Sequence, residues 1–297
     1  MLSVLIPTFN CSCLRLVSEL ARQIDALGIE SEIVVVDDAS TDAGALSDNE
    51  KIASVNHCRY VRLDHRIDIS HMRNRLLQEA KYRWLLCLDA DVYPADSDFL
   101  KRYVDATNRA RIVCGGLSYR TDGPTKISPL RYKYGITHEV EMLEQRLKTP
   151  YQSFKTSNYF IDKDLLTSIM FDESFIGYGH EDTLFGKRLQ QANEQILHIQ
   201  NSVYHDDNDT AEQFLAKTRK GIDNLLSHSA ELEQYSHLLQ LYNKIGKLRL
   251  VAFIAFLFNR FERRFEQNLL GKNPSMCVFG LYKLGYICQI GKKKRSA

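Results

Sequence analysis

Asp89 and Asp91 stand two residues apart, immediately after the apolar run Trp84-Leu85-Leu86-Cys87-Leu88. A run of that kind reads as a strand buried on both faces at the centre of a parallel sheet. A buried strand cannot hold charge, so the two carboxylates mark its exit at the carboxyl edge, where open α/β sheets bind their ligands. If the chain stays extended there, both side chains point to one side, because side chains alternate with period two. Two carboxylates converging on one spot repel unless a cation lies between them, and Mg²⁺ or Mn²⁺ suits oxygen ligands of this kind. The plainer alternative is a solvated Asx turn after a strand.

The same arrangement recurs. Ile33 to Val36 is a short apolar strand followed by Asp37-Asp38-Ala39-Ser40-Thr41-Asp42, and Arg59 to Leu63 is a strand ending at Asp64. Between these strands the periodicity turns helical, over Leu14 to Leu27 with Gly28 as its stop and over Ile67 to Ala80. Leu2 to Ile6, stopped by Pro7, is the first strand. Alternation of strand and helix predicts an α/β fold with a doubly wound, mostly parallel central sheet flanked by helices. Further on, the pattern predicts helices over Asp98 to Thr107, Ile136 to Leu147, Lys163 to Ile169 and Glu181 to Ala192. Strands are expected over Ile112 to Leu117, Ser157 to Ile161, Ile196 to Ile199 and Val203-Tyr204, the last ending at His205-Asp206-Asp207. From Ala211 to about Glu266 the pattern is helical.

Composition is ordinary for a globular protein: 297 residues, 44% hydrophobic and 26% charged. The net charge of +2 hides an asymmetry. From Lys244 to the end, 12 Lys and Arg stand against two acids, Glu262 and Glu266, leaving 27 basic and 35 acidic residues before them. A basic tail on an acidic body points to an anionic partner for the tail. The seven scattered cysteines read as reduced, core-filling thiols of a cytoplasmic protein. The N-terminal apolar run is a strand, not a signal peptide, and no run reaches the length of a membrane span. No Gly-x-Gly-x-x-Gly or Walker-type lysine loop follows any strand, which weighs against dinucleotide and P-loop readings, and no nucleic-acid partner is expected.

Taken in order, these signals resemble the family 2 glycosyltransferases, inverting enzymes of the GT-A fold that use nucleotide-diphosphate sugars. The resemblance rests on Val4-Leu5-Ile6-Pro7-Thr8-Phe9-Asn10, on Ile33-Val34-Val35-Val36-Asp37-Asp38-Ala39-Ser40-Thr41-Asp42, on Arg73-Asn74, and on Asp89-Ala90-Asp91. It also rests on Gly177-Tyr178-Gly179-His180-Glu181-Asp182, which is similar to the corresponding loop of galactosyltransferase-like and chondroitin-polymerase-like enzymes. It covers Leu2 to Asp207 and implies a GT-A domain over residues 1–210, followed by a helical, basic extension over 211–297.

The resemblance implies a role for each piece. Asp38, with Asp37, would accept hydrogen bonds from a uracil imide or a ribose, and Thr8 would line that pocket. Arg73, near a helix start at the sheet edge, suits a diphosphate, with His65 and Arg66 as weaker candidates. Asp91 would ligate the metal, with Asp89 on sugar hydroxyls or as a second ligand and His205 as a third; Asp206 and Asp207 are nearby alternates. Asp182 is the candidate base, with Glu181 behind it, since an inverting transfer needs a group to take the acceptor's proton. Both acids also suit a helix N-terminus. Trp84 reads as core, and Tyr178 as a platform for a sugar face.

The expected activity is metal-dependent transfer from a UDP-sugar to a saccharide or lipid-linked saccharide in surface polysaccharide or glycolipid assembly. A non-catalytic carbohydrate- or nucleotide-binding protein on the same scaffold is the alternative. Leu250 to Phe258, flanked by Arg249 and Arg260, and the terminal Lys292-Lys293-Lys294-Arg295 would favour an anionic membrane on its inner face. A packed helical subdomain or dimer interface with a solvated tail is the plainer reading of that region. Pocket specificity would lie in loops such as Ser118 to Tyr134.

Overall fold

A computed structural model describes residues 1–121, 127–206 and 209–296, with side chains to Lys292. Gly123-Pro124, Asp207 and the side chains of Lys293, Lys294 and Arg295 lie outside the described residues. The strands are β1 (Leu2–Thr8), β2 (Ser31–Asp37), β3 (Cys58–Arg62), β4 (Trp84–Leu88), β5 (Val92–Pro94), β6 (Ile112–Cys114), β7 (Leu117–Ser118), β8 (Asn158–Asp162), β9 (Ile196–His198) and β10 (Val203–His205). Helices α1 (Leu14–Leu27), α2 (Ala43–Glu50), α3 (Ile69–Glu79), α4 (Phe99–Ala106), α5 (Pro129–Tyr134), α6 (Leu143–Lys148), α7 (Lys163–Ile169) and α8 (Glu181–Gln191) lie between them. After the last strand come α9 (Ala211–Ser227), α10 (Ser229–Leu232), α11 (His237–Lys247), α12 (Val251–Leu269) and α13 (Met276–Ser296).

Among the described residues the main sheet runs β3-β2-β1-β4-β8-β6-β9. Its first four strands are parallel, β8 is antiparallel to both β4 and β6, and β9 returns parallel to β6. The central strands are apolar on both faces because both faces are covered. Val4, Ile6, Ile33, Val35 and Leu86 meet Val17 and Leu20 of α1 and Phe99 and Leu100 of α4. Leu5, Val34, Val36 and Leu85 meet Met72 and Leu76 of α3, Leu165 of α7 and Phe185 of α8.

A second, small sheet runs β5-β10-β7. Strand β5, which the sequence pattern does not announce, starts one residue after Asp91. It pairs antiparallel with β10 so that Val92 faces His205. The expected strand over Ile112 to Leu117 is divided at Gly115-Gly116, and its second half joins this small sheet through β10.

The long helices expected downstream are broken. Ile136 to Leu147 is a π-helical turn over Gly135–Glu139, an extended break at Val140, and then α6. The break turns Glu139 inward onto Arg131 and Tyr119, a demand that no local pattern carries. The stretch from Ala211 divides where Ser236 caps α11 and where Arg249 takes a left-handed turn, φ 58°, before α12. Helix α13 lies in the extension expected to be helical, beyond the periodic stretch that ends near Glu266, and packs on α12. Its Gly285 lets Phe258 approach so closely that a Cβ there would lie 2.2 Å from the ring.

The hydrophobic packing does not stop at residue 210. Phe175 and Leu184 share a cluster with Ile222, Leu225, Leu239 and Ile287, and Leu130 shares one with Phe214, Phe258, Phe279 and Tyr282.

A pair of glycines on α13 tests this packing. A Cβ at Gly280 meets nothing within 4 Å, so Gly280→Ala is expected to raise stability to urea by about 0.5–1 kcal/mol through helix propensity. Gly285→Ala is expected to lower it by roughly 1–3 kcal/mol through overpacking against Phe258. Equal urea midpoints for the two variants would refute the α12–α13 contact as described.

Candidate active site

The parallel strands deliver their carboxylates to one edge, but not to one task. Asp37 is fully buried and accepts hydrogen bonds from the Ser40 N–H and the Tyr60 hydroxyl, each at 2.7 Å. It therefore fixes the turn after β2. Asp38 accepts from the Ile67 N–H at 2.8 Å and has the Arg66 guanidinium 3.5 Å from its other oxygen. Burial pushes its carboxyl up, partly offset by Ile67 and Arg66. The Asp38 N–H donates to the Thr8 carbonyl at 2.8 Å, and the Thr8 hydroxyl donates to that of Cys11 at 2.8 Å. Arg66 lies 3.7 Å above the Phe9 ring. Thr8, Phe9, Asp38 and Arg66 thus form one wall, with an aromatic face and a hydrogen-bonding carboxylate.

Arg73 is placed inside the protein, 9% exposed, rather than facing solvent for a diphosphate. One terminal nitrogen donates to Glu181 Oε1 at 2.7 Å; the other donates to the Thr156 hydroxyl at 2.7 Å and lies 3.5 Å from Asp89. Burial works against its charge, but Glu181 and Asp89 outweigh burial and hold it cationic. Burial pushes the Asp89 carboxyl up; Arg73 pulls it back, and repulsion from Asp91 adds to the rise. Glu181 is buried, and its second oxygen accepts the Gly179 N–H at 3.0 Å. With both oxygens engaged inside the protein, Glu181 is not placed as a base. Asp182, one residue on, is half-buried. One of its oxygens accepts from the Thr183 N–H at 2.7 Å, and the residue lines the cleft.

The chain turns after Leu88 instead of staying extended. Asp91 is brought to His205, Oδ2 to Nε2, at 3.3 Å, and the Asp206 N–H closes the turn on the Asp91 carbonyl at 2.7 Å. The Asp206 side chain instead lies 3.7 Å from Arg120. Burial pulls the His205 imidazole down, but the Asp91 carboxylate outweighs it and holds it up at about 9. Burial likewise pushes Asp91 up, and the facing imidazolium reverses that, to about 2. On its other side, His205 Nδ1 has the Tyr119 hydroxyl and an Arg131 nitrogen, each at 3.0 Å. The Tyr119 hydroxyl and the other terminal nitrogen of Arg131 donate to Glu139, at 2.5 and 2.9 Å. Arg131 can only donate, so an unprotonated Nδ1 accepts from it. A protonated Nδ1 donates to Tyr119, whose own proton goes to Glu139.

This donor set fits a small divalent cation. Ligands on adjacent corners of an octahedron, each roughly 2.1 Å from the ion, lie about 3 Å apart, and Asp91 Oδ2 and His205 Nε2 are 3.3 Å apart. The proton now between them must leave for a metal to enter. The Tyr119–Glu139 relay would then fix the His205 tautomer from behind, as outer-shell partners of metal-bound imidazoles do. Among the described residues no three His, Cys, Asp or Glu side chains converge as a ready-made cluster. An ion here would take its remaining ligands from substrate and water, and Asp89, tied toward Arg73, stands beside the pair rather than in it.

Asp89, Asp182 and His205 line a cleft of about 440 Å³. Its far wall comes from the C-terminal helices, through Phe214 and Lys217 of α9 and Phe279 and Lys283 of α13. The loop carrying Tyr178 is pressed onto α9. Gly179, at φ +107°, lies so close that a Cβ would be 2.8 Å from the Gly221 Cα. Asn224 clamps the same loop by donating to the Ile176 carbonyl at 3.0 Å and the Tyr178 carbonyl at 3.3 Å. Tyr178 is exposed over the cleft, and Trp84 stacks on Phe160 in the core, 5.1 Å between centroids. Sequence reasoning missed Tyr119, Arg131, Glu139, Lys155 and Lys283. The suspicion attached to the loop Ser118 to Tyr134 is the signal that reached the first two.

The sheet order and the small second sheet are those of the GT-A fold. The profile of glycosyl transferase family 2 matches residues 3–165, and the chain belongs to that family. A chondroitin synthase from Pasteurella multocida is 27% identical over 219 residues, 63% of this chain, and the chain spans 23% of that protein's length. Among solved structures, a mannosyltransferase from Pyrobaculum calidifontis matches over 99% of this chain and 86% of its own, at 15% identity and a TM-score of 0.59. Glucosyl-3-phosphoglycerate synthase from Mycobacterium tuberculosis matches over 76% and 79%, at 18% and 0.53. TarS residues 1–349 from S. aureus match over 99% and 92%, at 18% and 0.52.

The Arg73 network yields a stability test. Arg73→Met strands the buried Glu181 and the half-buried Asp89 and is expected to cost about 3–5 kcal/mol in denaturant unfolding. The double variant Arg73→Met/Glu181→Gln is expected to recover part of that loss. A double variant no more stable than the single one would show that Arg73 does not serve to neutralise Glu181.

Proposed function

We propose that the enzyme is an inverting, cation-dependent transferase, moving a sugar from a nucleotide diphosphate, UDP before GDP, to a hydroxyl of a saccharide or lipid-linked saccharide. The observation that carries this reading is the Asp91–His205 pair, whose imidazole lines the same cleft as Asp182. The mannosyltransferase was solved with GDP-Man and Mn²⁺, the synthase with Mn²⁺, UDP and glucosyl-3-phosphoglycerate, and TarS with UDP-GlcNAc. They lend this reading the fold in which such donors sit.

Thr8, Phe9 and Asp38 receive the nucleoside, with Asp38 accepting from the base or ribose. Asp91 and His205 hold Mn²⁺ or Mg²⁺, with imidazole favouring Mn²⁺. That ion supplies the positive charge that lets a nucleoside diphosphate depart. Asp89, oriented by Arg73, takes a donor hydroxyl. Asp182 accepts the proton of the acceptor hydroxyl as its oxygen bonds to the anomeric carbon from the side opposite the departing diphosphate, inverting that centre.

Calorimetric titration with UDP, with and without Mn²⁺, is the test. Mn²⁺ is expected to tighten UDP binding, and Asp91→Ala to abolish that gain. Asp182→Asn is expected to leave UDP affinity intact while lowering turnover by roughly 10²- to 10⁴-fold. Silence toward UDP, GDP and dTDP alike would sink this reading in favour of a binding module.

The C-terminal region supports a second surface. Leu248, Leu250, Phe253, Phe256 and Leu257 are exposed at the start of α12, Phe256 by 65%, and Arg249, Arg260 and Arg264 are exposed beside them. An apolar stripe with a basic border suits the headgroup layer of an anionic membrane; no described helix is long and apolar enough to cross one. Co-sedimentation with vesicles of phosphatidylcholine containing phosphatidylglycerol, but not with phosphatidylcholine alone, is expected and should be lost in Phe253→Ser/Phe256→Ser. If instead the wild type sediments as a dimer in solution and the variant as a monomer, the stripe is a subunit interface.

A further inference from the structure

Among the described residues, the arginines and lysines lining the cleft are paired, with two exceptions. Arg73 is held by Glu181 and Asp89, Arg131 by Glu139, His205 by Asp91 and Lys217 by Asp209. Lys155 and Lys283 also line it. Neither makes an ion pair or hydrogen bond with any described residue, although each is half-buried.

The two lysines come from different parts of the chain. Lys155 precedes β8, whereas Lys283 is on α13, where it lies 4.8 Å above the Phe279 ring and 5.6 Å from that of Tyr134. Burial depresses the Lys283 ammonium, and no carboxylate counters it. Lys155 is also disfavoured by burial, but Asp182 leads a set of negative neighbours that keeps it charged. His180 stands between these influences: burial lowers it, and both lysines lower it further against the pull of Asp182. Lys155 and Lys283 therefore act on one region, the end of the cleft that holds Asp182. An ammonium kept half-buried without a direct ion pair is costly unless something fills that place. It also draws anions toward a cleft walled by low dielectric.

We propose that Lys155 and Lys283 form a subsite for an anionic group of the acceptor, a sugar carboxylate or a phosphate ester, seated so that the acceptor's hydroxyl reaches Asp182. This rests on the transferase reading above and extends it to the class of acceptor. The two lysines supply donors to carboxylate or phosphate oxygens at the acceptor end, while the donor's own diphosphate is assigned to the Asp91–His205 end. The C-terminal helices, outside residues 3–165 matched by the family profile, then contribute directly to acceptor choice through Lys283.

The test measures binding to the full chain of three probes by calorimetry: a disaccharide ending in a hexuronic acid, its neutral methyl ester, and a glycerol-phosphate oligomer. UDP with Mn²⁺ is titrated in parallel. One or both anionic probes are expected to bind, and the ester to bind roughly 10- to 100-fold more weakly than the acid if the carboxylate is the group read. Lys283→Met and Lys155→Met are expected to weaken the anionic probes by a similar factor and to leave UDP affinity unchanged, while Lys283→Arg retains binding. Whichever of uronate and phosphate binds identifies the source of the charge. The proposal is overturned if no anionic probe binds better than the ester. It is equally overturned if the lysine variants weaken UDP as much as the saccharide, which would assign them to the donor phosphates. Loss of UDP binding in the wild type would instead strike the transferase reading, and the saccharide comparison would still decide the subsite.

Discussion

A single buried guanidinium holds the site together. Arg73 rises from α3, beneath the sheet, and joins the Asp89 turn after β4, Thr156 ahead of β8 and Glu181 at the start of α8. Burial drives the Asp89 carboxyl toward the neutral acid, and the Arg73 guanidinium, hydrogen-bonded through both terminal nitrogens, pulls it back. The geometry also explains how two adjacent acids acquire different lives. Glu181 spends both oxygens on Arg73 and the Gly179 N–H and so anchors the helix. Asp182, carried on the same first turn, is left facing the cleft.

The small second sheet performs the corresponding task for Asp91. Antiparallel pairing of β5 with β10 brings residues more than a hundred positions apart into register, Val92 opposite His205, and the Asp206 N–H then seals the Asp91 turn. Behind the imidazole, Tyr119 and Arg131 converge on Glu139. The π-helical turn over Gly135–Glu139 carries Glu139 to them.

The helices after residue 210 complete the cleft rather than hang from it. Gly179 against Gly221, and the Asn224 amide on two loop carbonyls, hold the Tyr178–Asp182 segment at van der Waals distance from α9. His180 follows in a left-handed conformation, φ 71°, which costs a non-glycine residue energy and persists only where surroundings impose it. Helix α13 then adds Lys283 to the wall opposite the sheet edge. The charge at the end of the cleft that holds Asp182 is therefore shared between the main sheet's flank and this C-terminal layer.

Sequence alone determined the parts that depend on local pattern. Apolar runs covered on both faces, helical periodicity between them and acids at three strand exits led to the doubly wound sheet, to its carboxyl edge as the site, and to the family. They also led to Asp182 and His205 as residues that line one cleft. Tertiary structure decided what each charge faces. Arg73 reads from its neighbours as a helix-start residue at the sheet edge suited to a diphosphate, yet burial and two distant carboxylates make it internal. Asp37 and Asp38 are adjacent and alike in sequence, but one closes a turn on Ser40 and Tyr60 while the other remains at the wall. The pairing of Asp91 with His205, the relay behind it, and the unmatched Lys155 and Lys283 arise from contacts between segments far apart in the chain. Strand pairing, helix breaks and ion pairs of that range are set by which surfaces the whole fold brings together, and periodicity within a segment carries no trace of them.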